Sequence, residues 1–323
     1  MRRAGAALAC VMSISFAAAA APKAVVKVQE SGFGVAQFDQ CGYAVPPTGQ
    51  QSRRPPRATI FDIECSPGGA FGAYVYVAAG TINSDFDPVG FLERVTFTGS
   101  SSLFPGGELG NYNPTRLSFT PSGWRGGDLI NVTLNAGGFC CGDGFVAQID
   151  AADVGQASHG FRFGTVGESA VDPSGGFGSD MFIQTADGYA GDATTFIPAG
   201  IYRVDSSGAE SAFAPVRFGE MRFGRGGAWG TDLYVDGDII SPNGTSRPLG
   251  TVFGEFDWAD GSGLNGDMFA HVAGQDPGTV FRITPGGTAT VFATGAPGHI
   301  AGCNGSLWIA NQSGCFVVTK KGH

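Results

Sequence analysis

The sequence predicts an all-β chain folded as a six-bladed β-propeller of four-stranded antiparallel blades, and three observations carry that prediction. Helix signals are almost absent: 54 glycines and 18 prolines punctuate short runs rich in Val, Phe, Tyr, Ile and Thr, the pattern of strands joined by turns. Six related segments follow one another, and each holds a residue able to carry charge in the same early slot: Asp62, Arg116, Glu168, Glu220, Glu255 and His299. The intervals between these residues are 54, 52, 52, 35 and 44, a period of about 47 that suits propeller blades.

The alignment is internal to the chain. Five residues beyond the slot a turn begins, as PGGAFG at Pro67, PSGWRG at Pro121, PSGGFG at Pro173, RGGAWG at Arg225 and DGSGLN at Asp260. The sixth segment is shorter, and Gly298-His299 stands where Gly167-Glu168, Gly219-Glu220 and Gly254-Glu255 stand.

Taken in order, residues 1–21 read as an export signal, with Arg2 and Arg3, an apolar stretch over 5–16 and small residues before a cleavage point. Residues 22–323 then form one propeller domain, exported to the periplasm or the exterior. Strands of blade 3 are read at MFIQTA, IYRVD and ESAFA, and those of blade 5 at 255–258, 267–273, 279–284 and 289–294, with Pro285-Gly286-Gly287 as a tight hairpin. Blade 6 has HIAGC, SLWIAN and CFVVTK but no outer strand, and AVVKVQ at 24–29 is expected to complete it, closing the ring and removing an exposed edge. Long second-to-third-strand connections at 79–89, 135–144 and 186–200 are expected to wall one side of the ring mouth, with Phe86, Phe139, Tyr189 and Phe196 as apolar contacts.

Without Arg2 and Arg3 the chain carries 17 basic and 28 acidic residues, which argues against nucleic acid or an anionic membrane as partner and favours cations. No later apolar run reaches the length of a membrane span. Beyond the signal, Cys41, Cys65, Cys140, Cys141, Cys303 and Cys315 form an even set in an oxidising compartment, so disulfides are expected. Adjacent Cys140 and Cys141 can pair separately with Cys41 or Cys315, bridge each other, or serve as soft metal ligands. Asn83, Asp85 and Asp87 imitate the start of a calcium loop but lack its glycine and flanking helices.

Inner strands of a propeller run along its axis, so the six slots should face one another. Asp62, Glu168, Glu220, Glu255 and His299 are then candidate ligands of a divalent metal, Ca2+ first, with Mg2+, Mn2+ or Zn2+ as alternatives. Unpaired carboxylates at such distances repel, and a cation or Arg116 would compensate. A charge network with no metal is the competing reading of the same residues. If a metal activates a carbonyl or phosphoryl oxygen, Glu220 or His299 would act as base and Arg116 would stabilise developing charge.

The stretch GESAVDP at 167–173, followed by a small-residue turn and an aromatic strand, resembles the gluconolactonase and senescence-marker-protein (regucalcin) propellers and the wider NHL-type group. The resemblance implies a tunnel metal held at the starts of inner strands, at the slots of Asp62, Glu168, Glu220, Glu255 and His299. Where that family uses one Glu, two Asn and one Asp, this chain offers three Glu, one Asp, one His and an Arg. The resulting expectation is a metal-dependent hydrolase of small esters, lactones or phosphoesters, with its substrate or an extracellular ligand at the tunnel mouth. The alternative is a noncatalytic extracellular propeller that binds a protein or glycan through its loop face.

Overall fold

The computed structural model describes residues 25–39, 41, 58–82, 88–109, 112–120, 129–136, 144–150, 156–163, 166–189, 196–215, 217 and 219–322. Six antiparallel sheets of four strands or more form the six blades, and within blades 1 to 5 the four strands follow chain order from the axis outward. The inner strands are Thr59–Cys65, Tyr112–Thr120, Val166–Val171, Met221–Phe223, Phe253–Ala259 and His299–Cys303. The last of these lies against the inner strands of both blade 5 and blade 1, which completes the circle.

Blades adhere through aromatic wedges. Between blades 4 and 5, Trp258 meets Trp229 and Tyr234 edge-to-face at centroid distances of 5.8 and 5.2 Å, and between blades 3 and 4 Phe177 meets Phe223 at 5.0 Å. Such pairs favour T-shaped contact because ring faces are negative and ring edges positive. Blade 5 matches its sequence reading closely, with strands at Phe253–Ala259, Asp267–Val272, Val280–Ile283 and Ala289–Thr294.

Ring closure uses an N-terminal strand, but not the segment expected. The outer strand of blade 6 is Phe33–Phe38, paired antiparallel with Gly314–Lys320 from Phe33↔Lys320 to Phe38↔Cys315. Lys27–Val28, from the expected AVVKVQ segment, instead adds a fifth strand to blade 5 beside Ala289–Thr294. The aromatic ends decide the matter: Phe33 packs on Phe292 at 5.3 Å and Phe38 on Trp308 at 5.7 Å, anchors that AVVKVQ lacks.

Two disulfides fasten the same junction, Cys41–Cys315 and Cys65–Cys303. Cys41 and Cys315 are therefore each other's partners, and neither pairs with Cys140 or Cys141, which lie outside the described residues. The signal segment, Asn83, Asp85, Asp87, Phe86 and Phe139 also lie outside them. The connections on blades 1 and 2 are shorter than expected because the flanking strands run on to Ile82 and Ala136, and blade 3 carries a small hairpin of Gly188–Tyr189 with Phe196–Ile197.

Candidate functional site

Four of the six slots coincide with an interruption of a strand ladder, and the other two stand at the start of a ladder. Register shifts fall between Ile60 and Asp62, Pro114 and Arg116, Val166 and Ser169, and Phe253 and Phe256, so Asp62, Arg116, Glu168 and Glu255 each sit at a β-bulge. Bulges re-aim side chains out of the pleat. In blades 4 and 6 a glycine does the equivalent: Gly219 at φ 144° precedes Glu220, and Gly298 at φ 132° precedes His299. A Cβ on Gly298 would lie 2.1 Å from the Ala310 carbonyl oxygen, so that position admits glycine alone.

The side chains meet on Arg116. Its Nη1 donates to Asp62 Oδ1 at 2.6 Å, its Nε donates to Glu168, and its Nη2 lies 3.3 Å from Glu220 Oε2 and 3.2 Å from Glu255 Oε1. One guanidinium thus pairs with four carboxylates, using its planar fork of donors on every side. Burial works against its charge, but the surrounding carboxylates outweigh that and hold its pKa well above the usual arginine value. Asp62 is fully used: Oδ1 also accepts from Ile63 N at 2.8 Å and Oδ2 from Leu117 N at 2.7 Å.

His299 has both ring nitrogens facing acceptors. Nδ1 lies 2.9 Å from Glu255 Oε1 and Nε2 lies 3.2 Å from the Ile60 carbonyl oxygen. A neutral imidazole owns one donor, so satisfying a carboxylate and a carbonyl together requires the imidazolium. Burial opposes that charge, but Glu255 outweighs it and raises the pKa of His299. Burial likewise pushes Glu255 up, but Arg116 and His299 together hold it well below the usual carboxylate range. Glu168 is left with the remainder: burial, only partly offset by Arg116, pushes it up to about 7.

A second charged tier lies two residues further along three of the same strands, as a period of two requires. Glu64, Arg222 and Asp257 follow Asp62, Glu220 and Glu255 at that spacing, while Ser118, Ala170 and Ala301 occupy the other blades. Arg222 bridges the tiers, its Nε donating to Glu220 and its Nη1 to Glu64. Asp257 accepts from Arg225 Nη2 at 3.0 Å, Trp258 N at 2.7 Å and Gly302 N at 2.8 Å. Burial pushes Glu64 up to about 7 in spite of Arg222. The sequence reading missed this tier.

A cavity of about 380 Å³ opens onto the second tier. Arg116 and Glu220 line it, whereas Asp62, Glu168, Glu255 and His299 do not. Glu64, Arg222, Arg225 and Asp257 supply its charge, and Phe119, Met221, Phe223 and Pro67 supply apolar wall. The cavity therefore opens at the end of the inner strands where the PGG-type turns begin, opposite to the end at which those strands start.

Ligand atoms of Asp62, Glu255 and His299 all lie within 4.8 Å of one another, the spacing of a metal cluster. In the present arrangement these donors fit a cation poorly, because every Asp62 oxygen and both His299 nitrogens are already engaged.

No family model and no curated protein matches this sequence. Among solved structures, a glucose dehydrogenase superposes with a TM-score of 0.51 at 12% identity, over 90% of this chain and 100% of that one. The soluble aldose sugar dehydrogenase from Escherichia coli, in its apo form, gives 0.50 at 10% identity over 90% and 100%. The Dos1 propeller gives 0.41 at 11% identity over 80% and 67%. The two dehydrogenases support the propeller fold that the repeats predict.

Proposed function

We propose that the protein is an exported small-molecule-binding propeller whose ligand sits in the tunnel cavity, and that Glu64 and Arg222 equip it to hydrolyse small esters, lactones or phosphoesters. The observation that carries this reading is the cavity itself, of a size that suits small ligands and with ionisable groups at its floor. A carboxyl raised to about 7 is matched to acid–base work near neutral pH. As carboxylate, Glu64 takes a proton from a water that attacks the substrate carbonyl or phosphoryl centre. It returns that proton to the departing alkoxide, and acid plus alcohol leave. The Arg222 guanidinium stabilises the oxygen that gains charge in the tetrahedral or pentacoordinate intermediate. At 12% and 10% identity the dehydrogenases contribute their fold to this reading and not their substrates.

The test is a panel of aryl esters, lactones and phosphotriesters on the mature protein. Glu64→Gln should lower kcat/KM about 100-fold or more, the usual scale of a lost acid–base group. Absence of turnover across the panel would end the hydrolytic reading.

A divalent cation at Asp62, Glu255 and His299 is the second reading, favoured by the convergence of their ligand atoms. It requires Arg116 to swing away and His299 to lose a proton. Metal analysis of the purified protein and the effect of a chelator on turnover decide it, with stoichiometric metal as the supporting result.

A further inference from the structure

Hydrogen-bonding capacity in the cavity is lopsided. On the acceptor side, Glu220 Oε1 takes Arg222 and Oε2 takes Phe256 N, while Asp257 Oδ1 and Oδ2 take Arg225, Trp258 N and Gly302 N. Each Asp257 oxygen accepts two bonds, and both Glu220 oxygens are engaged. On the donor side, Arg222 commits Nε and Nη1, and Arg225 commits Nη2, with its Nη1 3.7 Å from the exposed Asp260. Among the described residues, Arg222 Nη2 and Arg225 Nε have no acceptor, and both residues line the cavity. Trp258, also on the wall, keeps its buried indole N–H unpartnered. Glu64 Oε1 is the one uncommitted carboxylate oxygen, and in the protonated form it too becomes a donor.

Two spare guanidinium donors on cavity-lining arginines suit an acceptor group on the ligand. Arg222 and Arg225 supply the spare cationic donors of the cavity, whereas Arg116 spends its charge on Asp62, Glu168, Glu220 and Glu255. Phe119, Met221, Phe223 and Pro67 would be poor neighbours for a second charge and good ones for an apolar body. We propose that the cavity binds small monocarboxylates with an apolar or aromatic body, the carboxylate seated between the Arg222 and Arg225 guanidiniums. This rests on the cavity reading above and specifies its ligand; it also places the acid product of ester or lactone hydrolysis on the same two arginines.

The experiment is calorimetric titration of the mature protein with benzoate and with its neutral isostere benzamide. Benzoate should bind about tenfold or more tightly than benzamide, the worth of a charge-assisted contact. Arg225→Met, at the partly exposed rim, should weaken benzoate by about the same factor and leave benzamide unchanged, while Arg247→Met on the outer surface should alter neither. Equal binding of the two probes, or benzoate binding indifferent to Arg225→Met, overturns the carboxylate proposal and leaves the cavity reading standing. If neither probe binds, nor any member of a neutral and cationic fragment set, both fall together. Arg222→Met gives a second check wherever circular dichroism shows the variant folded.

Discussion

Arg116 is surrounded by more negative charge than it can cancel, and its removal should show how much. With four carboxylates around one guanidinium, Arg116→Met leaves a buried cluster of like charges, and breaking such a network costs on the order of 3–5 kcal/mol. Urea unfolding should register that loss, and adding Glu168→Gln to the same chain should recover part of it, since one repelling charge is then gone. The same crowding sets a pH dependence whose sign can be worked out. Glu168 and Glu64 are raised from 4.5 to about 7, so the folded state binds protons that the unfolded state has released, and stability falls as pH rises from about 4.5 through 7. His299, raised above 6.5, adds to the decline in its own range, its contribution being complete below 6.5 and lost as pH passes its folded value. Glu255 has the opposite sign: it is lowered, so its contribution is present above 4.5 and lost in acid. Maximal stability is therefore expected near pH 4.5, with a loss of about 1–3 kcal/mol per raised carboxyl by pH 8. Unfolding midpoints at pH 5.5 and 8 check this, and Glu168→Gln should flatten the difference.

Strand interruptions are what turn a repeated sequence into a ring of side chains. Gly298 is the sharpest case: alanine there would meet the Ala310 carbonyl oxygen at 2.1 Å and a φ of +132°, which L residues avoid. Gly298→Ala should cost about 1–3 kcal/mol in thermal or urea unfolding. It should also displace His299 from Glu255, so the alkaline limb of the stability profile should shrink with it. The glycine before the charged slot was visible in the sequence as Gly-Glu and Gly-His, and blade 5 was legible almost to the residue because Pro285-Gly286-Gly287 marks its outer hairpin. The second tier was not visible. Glu64, Arg222 and Asp257 occupy their slot in only three blades, so repetition gives no signal, and only the period of two from Asp62, Glu220 and Glu255 would have exposed them. The closing strand was misplaced for a related reason. FGVAQF interrupts its apolar residues with Gly34, Ala36 and Gln37 and leaves Val35 40% exposed, whereas AVVKVQ has the stronger strand composition but makes only two residue pairs. Packing of Phe33 and Phe38 outweighed β-propensity. The sequence did offer Arg116 as counter-charge to the neighbouring Asp62 and Glu168, but not its reach to Glu220 and Glu255, which depends on distance across the axis rather than on any local pattern.

A propeller has a weak point wherever its first and last segments meet, and here the two disulfides among the described residues sit at that junction. Cys41–Cys315 and Cys65–Cys303 span sequence separations of 274 and 238 residues, so either alone ties the two ends of the unfolded chain together. The two are not independent. Once one bridge exists, the other closes only a short circuit of about 36 residues through the segments between Cys41 and Cys65 and between Cys303 and Cys315, and the entropy it removes from the unfolded chain is correspondingly smaller. Removing one bridge, as Cys41→Ser with Cys315→Ser or Cys65→Ser with Cys303→Ser, should therefore cost about 2–4 kcal/mol, because the survivor still constrains the long loop. Removing both releases the long loop as well, and the loss should exceed the sum of the two single losses. Urea unfolding of the three variants, with the wild type in oxidising buffer as reference, measures this directly. Strict additivity would show that the bridges act on the folded junction rather than on the unfolded chain. A loss larger than additive would mean that the circle is held chiefly by chain connectivity, which makes an oxidising compartment a condition of stability for the whole ring and not only for blade 6.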